Sequence, residues 1–247
     1  MSNILNKILF FKRGKFFIFL SFFLILGITT VNIVDAANIT ISPTTSGGLW
    51  EAIETAESGS TIYLENGIYT GENNLEININ KNIVIKGKGE NVVIDGENKY
   101  SYLFQMVKHD SVSKTYIPIS VQIANLKVKN FHGDVIENWG SLKVNNCTFS
   151  DNKISGAIIY NYNGSNCKIA NSVFTKNTFV YNKSDGAAGI VIYTYNVTSF
   201  SVTGSTFSNF KSTSHSIGVA IQNFISTNVL VSKCKFINTG KKYEYYL

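Results

Sequence analysis

Between Gly133 and Phe236 the apolar and polar positions recur in one unit, four times over. Its first half reads Gly-x-[Val/Ile/Ala]-Ile-x-[Asn/Thr]-aromatic, in Gly133–Trp139, Gly156–Tyr162, Gly189–Tyr195 and Gly218–Phe224. Its second half reads [Val/Ile]-x-x-[Cys/Ser]-x-Phe, in Val144–Phe149, Ile169–Phe174, Val202–Phe207 and Val231–Phe236. From each Gly to its Phe is 16, then 18, 18 and 18 residues, a repetition that marks a solenoid. Alternation puts Ile136, Ile159, Ile192 and Ile221 inside, and two residues on, still inside, lie Asn138, Asn161, Thr194 and Asn223. Asn tolerates left-handed turns and its side chains bond one another when stacked, so this column predicts an asparagine ladder at a corner. A second sheet follows from Leu142/Val144, Cys167/Ile169, Phe200/Val202 and Val229/Val231, and a third from the Cys/Ser-x-Phe positions.

Upstream the pattern is less regular. Residues 38–42 alternate as a short strand. Leu49, Trp50, Ile53 and Ala56 fall on one helical face, which predicts a short helix covering the first turn. From Thr61 onward, short β-branched runs are separated by Gly and Asn: 61–64, 67–71, 75–79, 82–87 and 91–96. Ile123-x-x-Leu126-x-Val128 repeats the offsets of the second half-unit. Parallel strands need crossovers, and a chain without intervening helices supplies them only by coiling through several sheets. The prediction is an all-β, right-handed, three-sheet parallel β-helix over residues 37–240, capped by the helix, with a tail at 241–247. The segments from each Phe to the next Gly step 7, 15 and 11 residues; insertions at one corner project loops from one side.

The apolar run Phe16–Ile28 follows four basic residues and precedes Val34-Asp35-Ala36. It reads as a signal peptide over 1–36, cut after Ala36, or as an uncleaved anchor, since 16–34 is long enough to cross a bilayer; either way a secreted or cell-surface protein is expected, with membrane contact only through this segment. The run also distorts the charge. Four of the 22 basic residues and one of the 16 acidic ones lie within 1–36, leaving 18 and 15, a net of +3 against +6 for the whole chain. No Arg follows Arg13, which argues against nucleic-acid binding. Three cysteines make no disulfide framework. Cys147 and Cys234 stand three turns, roughly 14 Å, apart, too far to bridge, so buried free thiols are expected.

The segments Leu49–Ile53, Ser60–Gly71, Asn82–Gly87 and Val93–Gly96 and the Asn-Cys-Thr-Phe type repeats resemble the right-handed β-helix proteins of the pectin-lyase-like superfamily. Within it the chain is most similar to adhesin-like surface proteins of methanogenic archaea. That resemblance implies a surface protein binding glycans or other surface proteins; the superfamily's polysaccharide lyases and glycoside hydrolases supply the alternative. Lyases there use acidic calcium sites with a basic residue, and hydrolases use closely spaced Asp. Here Asp95, Asp110, Asp134, Asp151 and Asp185 are scattered, so no catalytic residue, metal site or cofactor is assigned. His109, His132 and His215 lack ligand spacing; His215 is the one candidate, being in an insertion. Trp139, Tyr162 and Tyr195 follow the ladder, and Tyr160 and Tyr193 face outward by alternation, as candidates for sugar or protein contact; the plainer reading of the first column is stacking buried at a corner. Asn38, Asn163, Asn182 and Asn196 are glycosylation sequons, with Asn146, at a tight corner, the poorest. Because the unit runs to Phe236, end-to-end self-association is a further expectation.

Overall fold

A computed structural model describes residues 36–180, 189–212 and 218–239. The signal-peptide or anchor segment, Asn182, His215 and the tail lie outside them.

The described chain is a parallel β-helix. Six times it passes from an eight-stranded sheet 1 through a seven-stranded sheet 2 to a six-stranded sheet 3, and then begins a seventh turn. Every strand pairing within the sheets is parallel, from Thr61–Leu64 on Ile83–Gly87 to Ser199–Thr203 on Val229–Ser232. The crossovers take the right-handed sense general to parallel connections. The repeat read from Gly133 reaches further back than the sequence shows. Ile136, Ile159 and Ile192 stack in register on Phe104 and Ile77, all fully buried. Val128 pairs with Phe149, as its matching offsets predict. In sheet 2, Phe149, Phe174, Phe207 and Phe236 stack at 5.0 Å, their planes within 9°.

The expected three sheets gain a fourth small one. Lys153–Ile154, Thr178–Phe179 and Lys211–Ser212 pair in the insertion corner between sheets 2 and 3. Once three successive turns carry extra residues there, their backbone groups satisfy one another instead of water. Phe179 is buried under Gly189 and Gly218, where an added Cβ would meet its ring at 2.6 and 2.0 Å.

The helix spans Gly48–Thr55 and buries Leu49, Ala52 and Ile53, but Trp50 is 48% exposed, contrary to the helical-face reading. Asn74 holds this cap, its Oδ1 accepting from the Leu49 N–H at 3.0 Å.

The ladder is present, in a different backbone state from that expected. Asn138 Nδ2 donates to Asn161 Oδ1 at 2.8 Å, Asn161 Nδ2 donates to the Tyr193 carbonyl at 3.1 Å, and Thr194 donates to Asn223. These residues lie within strands of sheet 3. Left-handed residues form separate columns: Asn125, Asn146, Asn171, Gly204 and Lys233 between sheets 1 and 2, and Asn130, Asp151, Lys176, Asn209 and Asn238 directly after sheet 2, at φ 50–60°. A second buried ladder, Asn152 Nδ2 to Asn177 Oδ1 at 3.0 Å, sits three residues after the Phe column. Cys147 and Cys167 are buried, and burial pushes both thiols up to about 12. Cys234 is only half-buried, a correction that follows from its place on the outermost described turn. That turn exposes side chains that are interior elsewhere, with Val229, Val231 and Phe236 at 43–48%; one more turn, of any chain, would cover them.

Among the described residues one ion pair occurs, Lys129 to Asp95 at 3.0 Å on sheet 2. Burial alone would raise the Asp95 carboxyl, but Asn130, the Glu97 N–H and Lys129 outweigh it and hold it below the usual carboxylate range. Its stabilising effect is therefore complete above the unfolded value, about 3.9, and lost as pH falls through the lowered folded value. Asp95→Asn should lower the unfolding free energy read from urea denaturation by about 1 kcal/mol at pH 7, and by much less near pH 2. An equal deficit at both pH values would show that the charge is not the cause.

Candidate functional site

The outer face of sheet 3 gathers the most distinctive chemistry. Its central outward column runs in register through Asn78, Gln105, Glu137, Tyr160, Tyr193 and Gln222. Pleating forces this: Ile136, Ile159, Ile192 and Ile221 fill the inside, so the next residue of each unit points out. At the corner that follows, the ladder turns Trp139 and Tyr162 onto the same face; both are half-buried, and Tyr195 is 45% exposed. The column is thus stacked but not buried.

The rings touch in one continuous series. Tyr116 stacks on Trp139 at 4.5 Å, and Trp139 on Tyr162 at 3.7 Å and 10°. Tyr162 meets Tyr160 at 4.3 Å, Tyr160 meets Tyr193 at 4.6 Å and 44°, and Tyr193 meets Phe224 at 5.9 Å. Tyr116 belongs to the loop between residues 107 and 118, where it bridges to His109 and packs edge-on against that imidazole at 4.7 Å. The faces of Trp139 and Tyr162 are spent on each other, so these two offer edges and a phenol. Tyr160 stacks on Tyr162 and tilts against Tyr193, and both Tyr160 and Tyr193 are half-buried.

Glu137 lies at the middle of this array. Its Oε1 accepts from Gln105 Nε2 at 3.1 Å and its Oε2 from the Tyr162 hydroxyl at 3.3 Å. Burial first, then Tyr193 and the carboxylates of Asp134 and Glu137, pushes the Tyr160 phenol up to about 12. Tyr162 is raised too, by burial and then by Glu137 and Asp134, and Tyr102 by burial, Glu76 and Glu137. These phenols stay protonated and able to donate across the physiological range. Asp134 accepts from the Ala157 N–H at the edge of the same face.

Sequence reasoning missed Gln105 and Glu137. The signal was available: Glu137 occupies the unit position of Tyr160 and Tyr193. A search for paired Asp residues passes over it. Of the other candidates, His109 is tied to the ring series through Tyr116, and His132, exposed, contacts the Tyr100 carbonyl through Nδ1 at 3.0 Å. Asn38, Asn163 and Asn196 are exposed, and Asn196 Nδ2 donates to Asn163 Oδ1 at 2.7 Å. Open clefts of about 400 Å³ lie beside Lys88 and Lys127 and between Trp50 and Tyr100.

No protein-family model matches the sequence, and no curated protein is similar to it. Several solved structures are. A mannuronic-acid-specific family 6 polysaccharide lyase from human gut microbiota matches at TM-score 0.46 and 14% identity, over 81% of this chain and 59% of its own. The ORF18 protein of Geobacillus virus E2 matches at 0.49 and 16%, over 83% and 43%. A pectin methylesterase of Erwinia chrysanthemi matches at 0.30 and 13%, over 72% and 81%. The chain thus spans less than two thirds of the first two. At such scores the likenesses bear on neither activity nor substrate.

Proposed function

We propose that this β-helix binds a glycan chain across the outer face of sheet 3. The observation that carries the reading is the ring series from Tyr116 to Phe224 with Glu137 and Gln105 set within it. Sugars offer apolar C–H faces and rings of hydroxyls. A protein face suited to them combines aromatic surface with planar polar groups held in fixed orientation, as Gln105, Glu137 and the Tyr162 phenol hold one another. The series crosses five turns of the coil, so the ligand it fits is extended rather than a single sugar. Attachment to a cell surface rests on the family resemblance alone and is not needed for this reading.

Tyr160→Ala should weaken binding of the glycan this face recognises at least tenfold, whereas Lys143→Ala, on sheet 1, should leave it unchanged. Both are read by affinity electrophoresis against a panel of soluble polysaccharides. Equal effects of the two substitutions, or none, would remove the assignment to sheet 3. A second reading, that the protein also cleaves its ligand, is favoured by the carboxylate at the centre of the face, with Asp134 three residues before it. New reducing ends or unsaturated products on incubation would establish it.

A further inference from the structure

We propose that the glycan of the sheet 3 face is an amino-sugar polymer, with Glu137 as the group that receives its ammonium. The inference rests on reading this face as a glycan-binding surface and adds the chemical class.

Charge is distributed unevenly over the three faces. In the outward column of sheet 3, Glu137 is the one acidic or basic residue apart from the two tyrosines; its companions are Asn78, Gln105 and Gln222. The other two faces are different. Sheet 1 carries Lys86, Lys143 and Lys168 outward, with Lys143 and Lys168 directly opposite one another. Sheet 2 carries Lys127 and Lys235 outward, besides Lys129, which is paired with Asp95. A polyanion such as a polyuronate is attracted to sheets 1 and 2 and meets a carboxylate on sheet 3.

Glu137 has hydrogen bonds but, among the described residues, no salt-bridge partner. Both of its oxygens accept from neutral donors, one amide and one phenol. Among the described residues no cation pairs with it, the one salt bridge being on sheet 2. Lys108 and Lys114, in the loop that carries Tyr116, are exposed and do not reach it. Two carboxylate oxygens offer about four acceptor sites, so two remain for a ligand. A half-buried carboxylate with its neutral bonds made and its charge uncompensated is matched best by an ammonium. Hydroxyls alone would bind there but leave the charge unpaired.

The rings point the same way. A cation near the face of Tyr or Trp is attracted by the ring quadrupole and an anion is repelled. Tyr160, stacked on Tyr162 and tilted at 44° against Tyr193, sits beside Glu137 on the strand turn above it, and both Tyr160 and Tyr193 are only half-buried. Carboxylate and rings thus select for the same sign of charge.

The test uses a built-in reporter. The chain has two tryptophans, Trp50 and Trp139. Trp50 is exposed on the capping helix, so Trp50→Phe leaves Trp139 as the sole indole, within the site. Three hexasaccharides are titrated in mildly acidic buffer, where sugar amines are protonated: β-1,4-linked glucosamine, β-1,4-linked glucose and β-1,4-linked mannuronate. The glucosamine hexamer should shift Trp139 emission at about one tenth of the concentration the glucose hexamer needs, and the mannuronate hexamer should not shift it. Glu137→Gln, which keeps the acceptor for Tyr162, should abolish the glucosamine advantage and retain the response to glucose. Mannuronate acting at or below the glucosamine concentration, or an advantage that survives Glu137→Gln, would overturn the amino-sugar inference and leave the glycan reading standing. Silence of Trp139 toward all three would overturn the glycan reading itself.

Discussion

Phe174→Ala is expected to destabilise the protein by about 4 kcal/mol. Phe174 is fully buried, and its ring lies 5.0 Å from Phe149 on one side and 5.0 Å from Phe207 on the other, at 6° and 7°. Truncating a buried Phe costs about 3–5 kcal/mol in lost transfer energy and cavity. The cavity cannot close here. The turns above and below are held at strand spacing by the ladders on either side, Thr148–Val173–Thr206 and Ser150–Thr175–Ser208, so neighbouring rings cannot settle into the gap. Each stacked pair adds about 0.5–1.5 kcal/mol beyond burial, and this substitution removes two. Phe236→Ala is the internal control. Phe236 is 48% exposed and stacks on one ring among the described residues, Phe207, so its loss should cost about 1.5 kcal/mol or less. Chemical denaturation of the two variants at neutral pH checks the contrast. Similar losses would mean that the column is not the spine of sheet 2.

A coil of this kind also predicts where the damage goes. Each turn contacts chiefly the turns beside it, and stability is a sum of local and nearest-neighbour terms. Phe174 sits in the fifth of the six complete turns. Its loss should therefore loosen the turns from Asn166 onward more than those around Ile62 and Ile85. Amide exchange should rise in Thr206–Ser208 and stay slow in Ile83–Gly87.

The repetition of the Phe and Ile columns made the fold legible from Gly133 onward, because side chains that stack on their own kind leave a repeating sequence. Upstream the same column holds Phe104 between Ile77 and the Ile of later turns. The interior there requires apolar bulk at that position and nothing more specific. The loop that carries Tyr116 also lengthens one turn and breaks the spacing. The fourth sheet was illegible because Lys153–Ile154 and Lys211–Ser212 have no pattern of their own and pair only because insertions coincide at one corner. Of the site, Tyr160 and Tyr193 followed from alternation. Glu137 did not, since one carboxylate in a strand has no motif. Its setting depends on Gln105, one turn away and 32 residues earlier, and on Tyr162, one turn on and 25 residues later.

Asn161→Ala should be nearly as costly as Phe174→Ala, at about 3 kcal/mol, and should reach the site as well. Asn161 is fully buried. Its Oδ1 takes a hydrogen of Asn138, and its Nδ2 supplies the Tyr193 carbonyl of the next turn. Removal takes a side-chain donor from that carbonyl, which keeps its place in the strand ladder, and leaves one buried Asn138 hydrogen without its acceptor, a loss of about 1–3 kcal/mol on top of the side chain's packing. The Asn138 hydrogen bonds to Asn166 and Gly140 remain and limit the loss. Asn161→Thr, which copies the occupant of the same column at Thr194, should recover part of it. The consequence for function follows from position. Asn161 stands between Tyr160 and Tyr162 on one strand, so the bonds that fix its carboxamide also fix where these two rings emerge. A loosened ladder lets Tyr162 drift from Trp139 and withdraws the phenol from Glu137. Affinity for the glycan should then fall in Asn161→Ala at temperatures well below its melting point, and recover in Asn161→Thr. Tyr162→Phe separates the two contributions, since it removes the phenol's bond to Glu137 while keeping the ring and the ladder. If Asn161→Ala binds as wild type while folded, the ladder supports the coil alone and the rings hold their own positions by stacking.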